Sequence, residues 1–213
     1  MKIAARAVLG LAATFAFSSP GRAQDAGGYL GVSAGQAKYR SACPGTACEN
    51  TDGSWRLFGG YQFNRYFSAE LGYADLGRAS ASGIPGVITI TTSTSSTLDT
   101  EATAWDLVGV GALPLSERWS LTGKLGLYQA DVKSRRVATT FSRLVTPPAP
   151  VGTPVTTESS VNDSGVTFGL GVRYDFTRHF GVRAEWQRYG KVGTDDTAEN
   201  DIDVLSAGVL YRF

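Results

Sequence analysis

From Tyr29 onward, apolar and polar positions alternate with period two in eight stretches. Leu30, Val32 and Ala34 alternate with Gly31, Ser33 and Gly35. Trp55, Leu57, Tyr61 and Phe63 share one parity, opposite Arg56 and Gln62. Ala69, Leu71 and Tyr73 alternate with Ser68, Glu70 and Gly72, and Trp105 and Leu107 begin a fourth stretch beside Asp106. Trp119, Leu121, Leu125 and Leu127 alternate with Ser120, Thr122, Lys124 and Gly126. Val166, Phe168, Leu170, Val172 and Tyr174 alternate with Thr167, Gly169, Gly171, Arg173 and Asp175. Val182, Ala184 and Trp186 oppose Arg183, Glu185 and Gln187, and the last stretch sets Leu205, Ala207, Val209, Tyr211 and Phe213 against Ser206, Gly208 and Arg212. A period of two predicts strands.

The connections are of two kinds. Three are tight, around Asn64-Arg65, residues 114–118 and residues 177–179. Four are long and polar, at about residues 40–52, 78–98, 132–160 and 191–201. The kinds alternate along the chain, so a meander puts all short turns at one end and all long loops at the other, as outer-membrane barrels do. GGYQFNRYFSAELGY, VGALPLSERWSLTGKLGLY and GVRYDFTRHFGVRAEWQRY repeat one form: strand, tight turn, aromatic, strand with a charge on the polar face. Each reads as one hairpin. The fold predicted is all-β, an eight-stranded antiparallel up-and-down β-barrel.

Which way the apolar face looks decides the class. The chain has 26 Gly, concentrated with Ser and Thr on the polar parity. A water-facing surface does not need so many glycines, whereas a narrow eight-stranded interior does. Aromatics gather near the strand ends (Trp55, Tyr61, Phe63, Tyr66, Phe67, Trp119, Tyr174, Phe176, Phe180 and Tyr211), as in membrane-interface girdles. These features favour a transmembrane barrel with its apolar side in lipid. The alternative is a soluble periplasmic lipocalin-like ligand-binding barrel, in which Trp119, Leu121 and Leu125 face a cavity.

The first residues are a separate object. Lys2 and Arg6 precede an apolar run, AVLGLAATFAF, and Gly21-Arg22-Ala23 offers small residues for cleavage. Residues 1–23 read as a secretory signal peptide, leaving residues 24–213 as the barrel domain. Cleavage after Ala23 removes three basic residues and no acid, taking the net charge from +1 to −2. Neither value marks a nucleic-acid binder. Export to an oxidising compartment favours a disulfide between Cys43 and Cys48 in CPGTAC. Two thiolates without nearby His are a poor zinc set, and the CxxC redox spacing is absent.

LFGGYQFNRYFSAELGYADLGR, RAEWQRYG and SAGVLYRF resemble the transmembrane domain of OmpA-type outer-membrane proteins, and the resemblance runs from about Tyr29 to Phe213. It implies a Gram-negative outer-membrane location, contact with outer-membrane lipid and lipopolysaccharide, and a terminal strand (Leu205, Val209, Tyr211, Phe213) read by the barrel assembly machinery. It also implies a network of ion pairs inside the barrel. Glu70, Lys124 and Arg183 match the family's charged inward positions. Arg173 stands where the family often has an acid, and Val110 where it can have a base, so the network is expected to be rewired. Its candidates are Arg56, Glu70, Asp106, Lys124, Arg173, Arg183 and Glu185. Unpaired charges in so narrow a space are costly, which favours mutual pairing and a static plug. The alternative is a low-conductance gated pore for small solutes. Larger family members continue into a peptidoglycan-binding domain, which is not expected here, and a monomer is.

No catalytic residue, cofactor or metal is expected. His179 is the single histidine, and it falls in a tight turn at the end away from the long loops, the wrong end for outer-leaflet chemistry. The glycine-rich pieces GVGALP and GLGVRY lack the Lys-Ser/Thr and the helix of a phosphate loop. The long loops remain as the surface for a host or matrix ligand, since loops on rigid scaffolds carry binding. ASASGIPGVITITTSTSSTLDT extends the strands as a hairpin if it pairs, whereas RLVTPPAPVGTPVTTESS, with four prolines, resists pairing.

Overall fold

The computed structural model describes residues 26–40, 47–89, 91–142, 144, 149–150, 153–192 and 200–213. The expected signal peptide lies outside the described residues. So do Cys43 and the side chain of Cys48, and with them the expected disulfide.

Eight long strands close a ring: β1 (Gly27–Tyr39), β3 (Thr51–Gln62), β4 (Phe67–Ile88), β5 (Thr92–Pro114), β6 (Trp119–Ser142), β8 (Val155–Asp175), β9 (Phe180–Val192) and β10 (Asn200–Arg212). Two short strands, β2 (Ala47–Glu49) and β7 (Ala149–Pro150), add to β4 and β6. Every neighbour is antiparallel and sequential, and β1 pairs with β10 from Tyr29↔Arg212 to Tyr39↔Ile202. The Phe213 amide donates to the Gly28 carbonyl at 3.0 Å. The ring leaves no edge within the band that meets lipid, as a bilayer demands.

Side-chain direction settles the soluble alternative. Trp119, Leu121 and Leu125 point outward, 49%, 42% and 65% exposed. The opposite parity points inward and is buried. The barrel is therefore apolar outside. Trp55, Tyr73 and Trp105 stack into one girdle, with centroids 5.7 and 5.0 Å apart. Trp119, Tyr174 and Phe176 (4.8 and 4.9 Å) and Phe180, Tyr211 and Phe213 (5.0 and 5.2 Å) form the other.

The three tight turns share one construction, which explains the sequence repeat. Asn64 Oδ1 accepts from the Tyr66 and Phe67 amides. Ser116 Oγ accepts from the Arg118 and Trp119 amides, and Thr177 Oγ1 from the His179 and Phe180 amides. A short polar side chain at the same place closes each reversal.

The long connections differ from expectation. The described residues of 78–98 and 132–160 are largely strand: the first forms the hairpin extension that the sequence allows, and the second pairs where a loop is expected. All 23 residues of β5 pair with β6, from Thr92↔Ser142 to Pro114↔Ser120. β-Branched Thr and Val pack well on a pleated surface and sustain the ladder, and even Pro150 stands opposite Phe141. Crossing a bilayer takes roughly 9–11 residues per strand. β1, β3, β9 and β10 have 12 or 13, whereas β4, β5, β6 and β8 have 21 to 24. Half the barrel wall thus continues as a sheet beyond the membrane, on the side opposite the tight turns. β4 bends within this extension through register shifts next to Gly77 and Gly83, whose φ values of 71° and 70° suit glycine.

Candidate functional site

The interior is built in three layers. At mid-height six charged side chains from five strands converge. Glu70 of β4 is central and 2% exposed. It meets Arg183 Nη1 at 2.6 Å, Lys124 Nζ at 3.1 Å and Arg56 Nη1 at 3.3 Å. Arg56 also grips Asp106 through Nε (2.9 Å) and Nη2. Glu185 receives Lys124 at 2.7 Å and Arg183 Nε at 3.2 Å. Three cations therefore face three carboxylates, so the layer carries no net charge. Buried charges are tolerable only when paired in this way.

Aromatic residues complete this layer. Phe58 lies under the cations, with Arg183 Cζ 3.6 Å and Arg56 Cζ 5.2 Å from its ring centroid. The Tyr29 hydroxyl donates to Glu70 at 2.9 Å and the Tyr189 hydroxyl to Asp106 at 2.9 Å. Sequence reasoning missed Tyr29, Phe58, Tyr128 and Tyr189. The signal was present, because each sits on the Gly and charge parity of its strand. Glycines opposite them make the room: Gly31 faces Phe58, Gly60 faces Tyr29 and Gly165 faces Tyr128.

Above the charges, toward the extended sheet, the interior is apolar. Leu76, Ile202, Val132 and Val204 pack with Tyr39, Tyr128, Tyr189 and a set of alanines into one buried cluster. Its hydroxyls are satisfied locally. Tyr39 donates to the Gly77 carbonyl at 3.0 Å and Tyr128 to the Gly190 carbonyl at 2.7 Å. Below the charges lies Arg173, which does not join the central network. It pairs with Asp175 (3.4 Å), which Arg212 also holds (2.7 Å), at the mouth near the tight turns. Cavities of about 10 and 20 Å³ flank the central layer. Each has room for about one water.

The other predicted positions are placed as follows. Leu205, Val209 and Tyr211 lie on the outward face of β10 and Phe213 follows its end, all exposed. His179 sits in the last tight turn, its Nδ1 3.1 Å from the Arg212 carbonyl and its ring stacked on Tyr211. Among the described residues, no group of three or more His, Cys, Asp or Glu is arranged to hold a metal.

At the outer rim, Asp203 faces outward just above the apolar band. Arg188 Nε meets it at 2.6 Å, and Arg40 Nε is a second partner. Partial burial pushes its carboxyl up, but these two guanidinium groups outweigh that and hold it below the usual Asp range.

Residues 7–213 match the family model described as outer membrane protein beta-barrel domain. Outer membrane protein A of Klebsiella pneumoniae is 28% identical over 202 residues, covering 87% of this chain and 50% of that protein. Outer membrane protein A of Salmonella typhi is 27% identical over 228 residues, covering 100% of this chain and 56% of that protein. The chain spans about half the length of these curated relatives. Among solved structures, Ail, the attachment invasion locus protein of Yersinia pestis, superposes with a TM-score of 0.46 at 15% identity, over 88% of this chain and 99% of that one. CarO of Acinetobacter baumannii gives a TM-score of 0.46 at 17% identity, over 89% and 98%.

Proposed function

The chain belongs to the outer membrane protein beta-barrel domain family, and from that premise we propose that it is a sealed, non-enzymatic barrel whose extended outer sheet is a contact surface. It resides in the Gram-negative outer membrane, with its apolar band in lipid. The seal serves envelope integrity, because a wall-spanning protein that conducted freely would dissipate the barrier it sits in. The same reading takes residues 1–23 as an export signal and Cys43–Cys48 as a disulfide formed after export.

One observation carries the contact role: β4, β5, β6 and β8 continue far beyond what a bilayer requires. A rigid sheet raised above the headgroups is a different object from mobile decoration. Among the described residues, β9 pairs with β8 only from Thr167 onward, so the outer half of β8 has no strand on that side. Such backbone is a template for an extended segment of a partner. That supports reading the surface as one for a protein ligand of a host or matrix.

The test is adhesion of cells carrying the full chain to surfaces coated with matrix proteins. Trimming residues 78–98 or 132–160 to a short turn should abolish adhesion while the barrel still shifts on gels between unheated and boiled samples. Adhesion that survives both deletions, or no adhesion by the full chain, contradicts the contact role.

The gated-pore alternative requires the central ion pairs to be the sole obstruction. The apolar cluster above them argues for the plug, since exchanging ion-pair partners leaves that cluster in place.

A further inference from the structure

Inside the barrel, glycines have a steric reason. A Cβ on Gly31, Gly60, Gly72 or Gly165 would meet Phe58, Tyr29, Arg56 or Tyr128 at 2.2 to 2.7 Å. Several glycines on the lipid face have none, Gly28 and Gly59 among them, and three of these lie side by side. On Gly109 and Gly111 of β5 and Gly123 of β6, a Cβ would find its nearest neighbour at 3.7, 3.9 and 3.8 Å, ordinary contact distances. The ladders run through all three without a register shift, so no bulge explains them. Their φ values are not positive, so backbone conformation does not either. Glycine inside a strand gives up packing, and it often marks close approach of another molecule.

These glycines floor a groove of about 600 Å³ walled by Phe67, Leu125, Phe168, Leu170 and Trp186. Small-molecule sites run roughly 300–1,000 Å³. The groove opens on the outer face of membrane-spanning strands, so its occupant is a lipid chain or another membrane segment. A second barrel presents a convex wall, which a flexible chain fits into and a wall does not. The lower end of the groove reaches the level of the tight turns, where the Ala112 amide donates to the Tyr66 carbonyl at 2.7 Å. Those turns carry Arg65 and Arg118, both exposed. Arg65 lies 4.9 Å over the Tyr66 ring, and Arg118 donates to the Tyr174 hydroxyl at 3.5 Å. Among the described residues, neither makes an ion pair with a carboxylate, although Glu117 shares the second turn. With short turns on the periplasmic side, as in outer-membrane barrels, this end faces the phosphates of the periplasmic leaflet, and in these two turns the two guanidinium groups outnumber the one carboxylate.

We propose that this groove seats an acyl chain of an anionic phospholipid of the periplasmic leaflet, with Arg65 and Arg118 holding its phosphate. The barrel would then keep a resident lipid at one place on its wall rather than a uniform shell. The inference rests on family membership and the outward apolar band alone, so it stands or falls separately from the sealed-barrel and contact readings.

The experiment uses the full chain in bilayer discs with spin-labelled phosphatidylglycerol or spin-labelled phosphatidylcholine as probe, reading the immobilised fraction by electron paramagnetic resonance. Phosphatidylglycerol should be immobilised in preference. The preference should fall about fivefold for each of Arg65→Gln and Arg118→Gln, the expected worth of one cation at an anionic headgroup. Gly111→Leu with Gly123→Leu fills the groove and should remove the tightly held lipid while heat-modifiable mobility persists. Equal immobilisation of the two lipids overturns the proposal. So does an unchanged immobilised fraction in the filled variant. Light scattering that shows two barrels per particle, reduced to one by filling, also overturns it and assigns the groove to a second copy. If the filled variant does not fold, the arginine variants still decide, since their preference must drop.

Discussion

Gly31 stands directly opposite Phe58 in the β1–β3 ladder, and a Cβ on Gly31 would lie 2.2 Å from the Phe58 ring. The glycine is the space that lets an aromatic ring lie inside the barrel, where it supports Arg183. Gly31→Ala should therefore destabilise the barrel by about 1–3 kcal/mol, the usual cost of overpacking. Gly123→Ala, on the lipid face with open space, should be neutral or stabilising by up to about 1 kcal/mol in detergent. Urea unfolding followed by tryptophan fluorescence measures both. Equal effects at the two sites would remove the steric account of the interior glycines.

Glu70 is the carboxylate shared by Arg56, Lys124 and Arg183. Replacing it with Ala leaves three cations facing two carboxylates in a closed space. The expected loss is about 3–5 kcal/mol, typical of one partner removed from a buried network. The double variant Glu70→Gln with Arg183→Met restores the charge balance and should recover part of the loss. Denaturant midpoints of the three proteins test this, and a double variant weaker than Glu70→Ala would show that balance is not what matters.

Asp203 joins Arg40 and Arg188 at the outer rim. Its carboxyl is held below the ordinary value, so its contribution is fully present above the unfolded Asp pKa of about 3.9 and fades as pH falls through the folded value. The stability difference between the parent chain and Asp203→Asn should be constant from pH 8 to pH 5, begin to fall near about pH 4, and vanish only as the pH drops through the lower folded-state value. A difference that persists unchanged in acid would assign the rim contact to shape rather than charge.

Parity made most of this architecture legible. It places Arg56, Glu70, Asp106, Lys124, Arg183 and Glu185 on one face and Trp119, Leu121 and Leu125 on the other. It also placed Arg173 on the inner face, but parity says nothing about height. Arg173 lies near the end of β8, beside Asp175 and within reach of Arg212, and pairs there. Tyr29, Phe58 and Tyr189 share the parity of the charges, but an aromatic on such a strand points first to an interface girdle. The polarity of residues 78–98 and 132–160 suggests loops, whereas their β-branched Thr and Val favour the strands that form. Above the membrane a Ser- and Thr-rich strand needs no apolar face to be stable when its ladder is continuous with one that has it.

The central claim is that the barrel is sealed twice, by ion pairs and by the apolar cluster around Leu76 and Ile202. Planar-bilayer conductance of the full chain tests it most directly, with Glu70→Ala and with Leu76→Ala plus Ile202→Ala. The parent chain and Glu70→Ala should show no single-channel steps, because the apolar cluster still fills the lumen. Only Glu70→Ala combined with the apolar truncations should conduct. Steady opening by the parent chain, or by Glu70→Ala alone, would contradict the account and make the ion pairs the gate of a pore.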